Sequence, residues 1–314
     1  MSKALVIIKT MGIGDLCILI SSIHAISKKI DKSVKVLAQK NTHAAAILEH
    51  DPYVDEVIEL NEKEIKGFFS IIKKIKSKQF EQSYIYSDSI RFYLISKLSG
   101  IKENFHYEFF SKRGKNFFKT AKEFTEKILD TKIDSQSKIY CDKNDIEEAK
   151  RKFSISEKTK NIVCGISASG PTKRWDINNY IKLFENLNSK FQCKFFLAGG
   201  SNDEDLIKKV TGSSIGNRCT SFSTMTIAET IPIIGTCQYY IGNDTGWGHI
   251  SSGLGLKSLF LFMDSPPSAY GIYSKNISII VPDGETIESC GHNTRGKNKI
   301  SVDKVLHKSL ELMN

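Results

Sequence analysis

Tryptophan is nearly missing from this chain and proline is scarce: its 314 residues include two of the first and six of the second. With so few prolines and no low-complexity tract, an extended linker or a disordered chain is excluded. The seven cysteines (Cys17, Cys141, Cys164, Cys193, Cys219, Cys237 and Cys290) contain no C-x-x-C pair. Their odd number and scatter argue against a disulfide framework or a zinc site, and for reduced thiols in the cytoplasm. No stretch reaches the roughly 18 apolar residues of a spanning helix. The opening Met1-Ser2-Lys3-Ala4-Leu5-Val6-Ile7-Ile8 is too short an apolar run for a secretory signal and reads as a first strand. Aromatics are not interleaved with arginine as a nucleic-acid groove requires, so nucleic acid is not an expected partner.

What is present is an ordinary globular balance, 40% hydrophobic and 25% charged, with a formal net charge of +10. The length is about twice that of a typical domain, which implies two cores. The excess charge is mostly lysine, as in Lys73-Lys74-Ile75-Lys76-Ser77-Lys78. Such a run suits phosphate-bearing partners or an anionic membrane face, and equally a solvated helix face.

Strands and helices alternate along the chain. Strands are expected at Ala4 to Lys9, Val34 to Ala38, Val57 to Leu60 and Ser83 to Tyr86. Helices are expected from Asp15 to about Ile30, after an Asn41 or Thr42 cap to Leu48, and over Glu62 to Lys78, Ser89 to Leu98, Lys115 to Leu129 and Asp145 to Phe153. The pattern restarts at Ile162: strand to Ile166, helix Ile177 to Asn188, strand Lys194 to Leu197, Gly199-Gly200, helix Asp203 to Val210. A helix from Thr226 to Ile234, strands at Tyr239 to Ile241 and Leu259 to Phe262, and a last helix Val302 to Leu312 follow. This is an α/β protein of two Rossmann-like, doubly wound parallel-sheet domains facing across a cleft, with a hinge between about Phe153 and Asn161. The expected division is 1–156 and 157–314, with the last helix free to pack back on the first domain.

Ligands of such sheets sit beyond the carboxyl ends of the strands, and three loops fall there. Gly12-Ile13-Gly14-Asp15 fails as a dinucleotide fingerprint, because Cys17 stands where G-x-G-x-x-G needs its third glycine and Gln39-Lys40 supply no ribose-binding acid. What remains is Asp15 in a helix first turn, placed to serve as a general base or simply to complement the helix dipole. Ser167-Ala168-Ser169-Gly170-Pro171-Thr172-Lys173-Arg174-Trp175 combines hydroxyls, amides and two cations that can hold a pyrophosphate and offset leaving-group charge, without being a Walker loop. Lys173 and Arg174 can also be plain surface cations, and Trp175 a packing residue. Gly242-Asn243-Asp244-Thr245-Gly246-Trp247-Gly248-His249 passes from strand through turn into helix, a natural phosphate cradle. Asp244-Thr245-Gly246 also matches an aspartic-protease triplet, but that fold needs two copies and this chain has one. His249 either touches a phosphate or sugar hydroxyl or satisfies buried groups. Asp203-Glu204-Asp205 has the D-x-D form of a metal motif but opens a helix, where acids are common without metal, so no metal is expected.

With these residues on the page, the chain resembles glycosyltransferase family 9, heptosyltransferase-like enzymes of the GT-B fold, almost end to end. The marks are Leu5-Val6-Ile7-Ile8-Lys9 with Gly12-Ile13-Gly14-Asp15; Asp51-Pro52-Tyr53-Val54-Asp55-Glu56-Val57-Ile58; Lys173-Arg174-Trp175; Gly199-Gly200; and Gly242-Asn243-Asp244-Thr245-Gly246 with His249. The resemblance implies inverting, metal-independent transfer of a sugar, typically heptose from an ADP-linked donor. The acceptor would be lipopolysaccharide core or a related glycolipid or polysaccharide, met at the inner face of the cytoplasmic membrane. No cofactor is implied beyond the nucleotide-diphosphate sugar as co-substrate.

Carried over, the first domain binds acceptor and the second binds donor. Asp15 becomes the base, Lys173 stabilises the departing diphosphate, Thr245 and Gly246 grip the pyrophosphate, and Asp244 holds the sugar hydroxyls. Gly12, Gly14, Ser167, Ser169 and His249 complete the donor site, and Glu204 is placed to reach the ribose. Lys73, Lys74 and Lys76 are expected to meet acceptor phosphates or anionic lipid. The sequence departs from the family pattern at Leu19-Ile20-Ser21-Ser22, which lacks the usual proline. It departs again at Phe262-Met263-Asp264-Ser265-Pro266-Pro267, in place of Phe-Gly-Pro-Thr, and at Trp247, where a smaller residue is usual. A non-catalytic GT-B-like nucleotide-sugar-binding or assembly protein and a sugar-nucleotide epimerase are the alternative readings.

Overall fold

The computed structural model describes residues 3–9, 12–108 and 116–314. Thr10 and Met11 of the first glycine turn, and Lys115 at the start of an expected helix, lie outside the described residues. The chain divides into two compact units, Met1–Tyr140 and Cys141–Asn314.

The first unit runs β1 (Ala4–Ile8), α1 (Ile13–Ile30), β2 (Val34–Gln39), α2 (Ala44–Ile47), β3 (Val54–Leu60), α3 (Glu62–Lys66), α4 (Phe68–Lys76), β4 (Gln82–Tyr86), α5 (Ile90–Leu98), β5 (Glu103–His106) and α6 (Phe117–Leu129). Its parallel strands are ordered β3-β2-β1-β4-β5. Continuous apolar strands such as Ala-Leu-Val-Ile-Ile in β1 are buried on both faces, as a helix-covered parallel sheet requires. On one face Ile71 and Ile75 of α4 and Phe92 and Ile95 of α5 pack on Leu5, Ile7, Leu37, Ile58 and Ile85. Helices α1 and α6 lie together, and the Thr125 hydroxyl donates to Ser22 at 2.9 Å.

Two expected helices are interrupted. The helix through Leu48 is a 3₁₀ turn, Lys40–Thr42, then the single turn of α2, separated by His43 at φ 52°. A left-handed residue cannot continue a right-handed helix. The helix expected over Glu62 to Lys78 breaks at Gly67, whose extended backbone ends α3 and starts α4; Asn61 and Glu64 close a capping box ahead of it. The short strand β5 was not expected.

The second unit runs α7 (Lys143–Lys152), β6 (Lys160–Gly165), α8 (Ile177–Lys190), β7 (Cys193–Ala198), α9 (Glu204–Thr211), β8 (Cys219–Ser221), α10 (Ile227–Gly235), β9 (Tyr239–Asn243), α11 (Gly246–Gly253), β10 (Lys257–Leu261), α12 (Pro267–Tyr270), β11 (Ile277–Ile280) and α13 (Val302–Met313). Its strand order is β11-β10-β9-β6-β7-β8. Tyr180, Leu183, Phe184 and Leu187 of α8 bury against β6 and β7, joined by Val305 and Met313 of α13. Helix α13 packs on α8 and β10, within this unit. Helix α7 packs on α10, which places it with the second unit and puts the division ahead of the expected 156/157. No described helix is long and apolar enough to cross a membrane.

Both sheets reverse direction once. In the first unit the chain winds outward through β2 and β3 and returns to β4 on the far side of β1; in the second it winds through β7 and β8 and returns to β9 beside β6. A crevice opens beyond the carboxyl ends of the two strands flanking such a reversal. In the first unit the Gly12–Asp15 turn leaves β1 at that edge. In the second, the loops after β6 and β9 flank it.

Candidate functional site

The second unit's site begins with two strands in unusually close contact. Gly165 of β6 pairs with Gly242 of β9, and a Cβ on Gly242 would lie 2.4 Å from the Gly165 backbone nitrogen. A Cβ on Gly165 would lie 1.9 Å from the Tyr240 hydroxyl. Glycine is required at both positions to let backbone and tyrosine meet. Tyr240, fully buried, donates to the Asn243 carbonyl at 2.6 Å and holds the Thr245 hydroxyl at 3.1 Å. Burial pushes its phenol above its ordinary range, so it stays a neutral donor.

Asn243, which ends β9 and is completely buried, ties the two loops together. Its amide NH₂ donates to the Ser167 carbonyl at 3.0 Å, and its Oδ1 accepts from the Trp175 backbone N–H at 3.0 Å. The nine-residue loop is thereby held at both ends. Trp175 is buried, with its indole N–H on the Ile300 carbonyl at 2.9 Å and its ring edge-on to Tyr180. It is a packing residue.

Beyond Asn243 the chain turns into α11. Thr245 is the N-cap residue but caps no N–H with its side chain, and among the described residues the first amides of the helix have no side-chain acceptor. Asp244 beside it is the centre of a chain of hydrogen bonds. Its Oδ2 accepts from Ser265 at 2.8 Å, its Oδ1 meets His249 Nε2 at 3.1 Å, and His249 Nδ1 meets the Tyr273 hydroxyl at 2.9 Å. A carboxylate only accepts, so Nε2 carries a proton and donates to Asp244. Both nitrogens of His249 are thus engaged and the ring is buried. His249 is bonded to Asp244 on one side and Tyr273 on the other.

The two cations of the β6 loop separate. Arg174 donates to the Ala168 carbonyl at 3.1 and 3.2 Å and pairs with Asp203 at 3.3 Å, clamping its own loop to the start of the next one. Asp203 also accepts from the Gly200 N–H at 3.0 Å. Lys173, half-buried in a 3₁₀ turn, has no hydrogen bond or ion pair from its ammonium among the described residues. Next to it the Thr172 hydroxyl donates to Asp264, which also accepts from the Arg295 N–H at 3.1 Å. Burial raises the Asp264 carboxyl, but the bonds from Thr172, Arg295 and Asn293 and the nearby Lys173 charge outweigh it and hold the group below the usual range.

Of the remaining expected residues, Ser167 is buried and Ser169 exposed in the same loop, and Glu204 is exposed at the start of α9, paired with Lys208 at 3.1 Å. In the first unit, Gly12 is the N-cap residue of α1, and Gly14 and Asp15 fall in its first turn, half-buried. An acid there is stabilised by the helix dipole. A Cβ on Gly12 would lie 3.5 Å from Asp15 Oδ2, so the carboxylate folds back over the helix start. On α4, Lys73 and Lys76 are exposed, whereas Lys74 is drawn to Glu64 at 3.3 Å. Among the described residues, no group of three or more His, Cys, Asp or Glu is arranged to hold a metal ion.

Sequence reasoning did not single out Asn243, Tyr240, Tyr273 or the Thr172–Asp264 pair as parts of the site. A readable signal existed for Asn243, an amide closing an otherwise apolar strand, since a buried polar group needs partners. Asp264 and Ser265 stood out only as departures from a pattern; in the structure each is bonded into a loop of the site.

Compared with known proteins, residues 111–299 match the family model described as glycosyltransferase family 9 (heptosyltransferase). That span includes both loops of the second unit and leaves the Gly12–Asp15 turn outside. Sequence comparison with the curated proteins finds no match. Among solved structures, the E. coli ADP-heptose lps heptosyltransferase II superposes with TM-score 0.76 at 17% identity, over 99% of this chain and 98% of its own. The glycosyl transferase family 9 protein from Veillonella parvula gives TM-score 0.81 at 15% identity, covering 99% and 97%. The E. coli heptosyltransferase WaaC with ADP gives 0.72 at 13%, covering 98% and 99%. At these identities the likeness establishes the fold.

Proposed function

The chain belongs to glycosyltransferase family 9 and is a glycosyltransferase of GT-B fold; from that premise we propose that it is inverting and metal-independent, moving heptose from an ADP-linked donor onto lipopolysaccharide core or a related surface glycan. The observation that carries the reading is the second unit's switch point. There the start of α11, whose N-cap side chain is unused, and the Asp244 network follow β9, and Lys173, whose ammonium has no partner among the described residues, lies in the loop after the neighbouring β6.

In this reading the donor diphosphate lies against the first amides of α11 and the Thr245 hydroxyl, and the Gly246 backbone lets it approach closely. Asp244, its direction set by His249 and Ser265, accepts from sugar hydroxyls. The β6 loop offers Ser167 and Ser169 to the phosphates, and Glu204 reaches the ribose. Asp15 takes the proton of the acceptor hydroxyl as its oxygen attacks the anomeric carbon, while Gly12 and Gly14 leave room for the reactants. The bond from that carbon to the diphosphate breaks, its electron pair leaves with the nucleotide, and Lys173 and the α11 amides offset the new charge. A single displacement inverts the anomeric configuration. ADP as the nucleotide is supported by two of the similar structures, described with ADP or as ADP-heptose enzymes. The first unit takes the acceptor, Lys73, Lys74 and Lys76 meeting its phosphates, and the reaction is placed at the inner face of the cytoplasmic membrane.

Asp15→Asn is the direct test. It should lower kcat by about 10²- to 10⁴-fold, the usual worth of a general base, with the dissociation constant for ADP unchanged. Transfer at the wild-type rate would remove Asp15 from the mechanism.

A further inference from the structure

Helix α5 has an apolar stripe that none of the described residues covers. Phe92 and Ile95 point into the core, yet Ile90, Leu94 and Leu98, spaced four apart and so aligned on one face, are 48%, 41% and 56% exposed. On neighbouring α4, Phe69 is 80% exposed, held edge-on to Phe68, which packs on the core. The helices form one surface. Ser99 at the end of α5 donates to the Ile72 carbonyl of α4 at 3.4 Å, and Arg91 donates to the Ile65 carbonyl of α3 at 2.6 Å. Singly exposed leucines are ordinary on a soluble protein; an aligned row of three beside an exposed phenylalanine is a patch.

The charge around the patch is predominantly positive. From residue 62 to residue 102 there are nine lysines and arginines against four acids. Lys63, Lys66, Lys73, Lys76, Lys97 and Lys102 are exposed. An apolar stripe flanked by lysines matches the boundary of an anionic bilayer, where the side chains enter the acyl region and the ammonium groups remain among the headgroups. The stripe starts at a telling place. Ile90 follows the carboxyl end of β4, the strand paired with β1, and thus lies toward the sheet edge where Gly12–Asp15 leave β1.

We propose that Phe69, Ile90, Leu94 and Leu98 dock the first unit on an anionic membrane, with the lysines of α3, α4 and α5 engaging lipid phosphates, so that an acceptor anchored in that membrane is offered to the Asp15 edge. The proposal rests on the reading of a lipid-linked acceptor, and its test separates the two. The full-length protein is sedimented with vesicles of phosphatidylcholine alone and with one-third phosphatidylglycerol, with no donor or acceptor present. Wild type should pellet with the anionic vesicles and be released by 0.5 M salt, an ionic strength at which surface attraction is heavily screened, on the order of a 4 Å Debye length. The combined variant Phe69→Ser, Leu94→Ser, Leu98→Ser should lose at least about tenfold in partitioning with its melting temperature retained, since apolar surface that is exposed in the free protein gains by burial only in the membrane.

Wild type remaining in the supernatant with both vesicles, or the variant pelleting as well as wild type, would overturn the proposal. So would a wild-type dimer in solution that the variant converts to monomer without any vesicle binding, since a second copy would then be the occupant. Transfer to an acceptor stripped of its lipid should proceed at the wild-type kcat in the variant. If that transfer fails in both proteins, the functional reading fails while the vesicle result stands.

Discussion

At the scale of single residues, the proposed mechanism separates groups that would touch substrate from groups that hold those in place. Lys173 and Arg174 are adjacent in sequence and alike in charge, but Arg174 is spent on the Ala168 carbonyl and Asp203. Lys173→Gln should therefore lower kcat by about 10- to 10³-fold at unchanged melting temperature, in the range of lost charge stabilisation at a leaving group. Arg174→Gln should do the reverse, lowering the melting temperature by a few degrees, for a partly exposed ion pair and two bonds worth about 1 kcal/mol together, with a smaller change in kcat. Steady-state kinetics beside thermal unfolding of both variants checks the assignment; equal kinetic losses would mean that both cations face the diphosphate.

At the scale of elements, the approach of β6 and β9 controls where the two loops begin. Gly242→Ala should cost more than about 2 kcal/mol, because the added carbon meets backbone that cannot step aside. Gly170→Ala, in the same site but with nothing within 4 Å and an extended backbone, should fall within about 0.5 kcal/mol of wild type. Denaturant unfolding of the pair measures both. Both glycines stand in loop motifs and look equivalent in sequence; only the register of Gly165 against Gly242 separates them.

The same limit explains which elements were readable. Strands β1, β6 and β9 are long apolar runs, and helices α1, α8 and α13 carry strong apolar spacing, so local pattern sufficed. The strands β5, β8 and β11 are only 3 or 4 residues long at sheet edges; β5 and β8 are mostly polar, and the Ile-Ser-Ile-Ile of β11 is too short a run to read as a strand by pattern alone. The break at His43 was also invisible, since its left-handed backbone is imposed by the surrounding fold rather than by glycine.

At the scale of the whole molecule, the chain is two α/β units, and the proposed chemistry assigns donor binding to one of them. ADP alone should then slow amide exchange at the β6 and β9 loops by as much as binding permits, about 2.7 kcal/mol of protection at a hundredfold excess over its dissociation constant. The Gly12–Asp15 turn should exchange at its unliganded rate. Hydrogen exchange with mass readout, with and without ADP, checks this, and protection confined to the first unit would reverse the assignment of donor and acceptor halves.

The chain's order of motifs was enough to determine the alternation of strand and helix, the number of units, the family resemblance, and the three loops at the strand ends, because each of these is carried by neighbours in sequence. Tertiary structure alone decided that Asn243 ties the Ser167–Trp175 loop to β9, that His249 bonds to Asp244, that Arg174 is paired while Lys173 has no partner among the described residues, and that α7 belongs with the second unit. These depend on contacts between residues that are distant in sequence, across a sheet whose strand order reverses. No local pattern records which loop such a reversal will bring beside another.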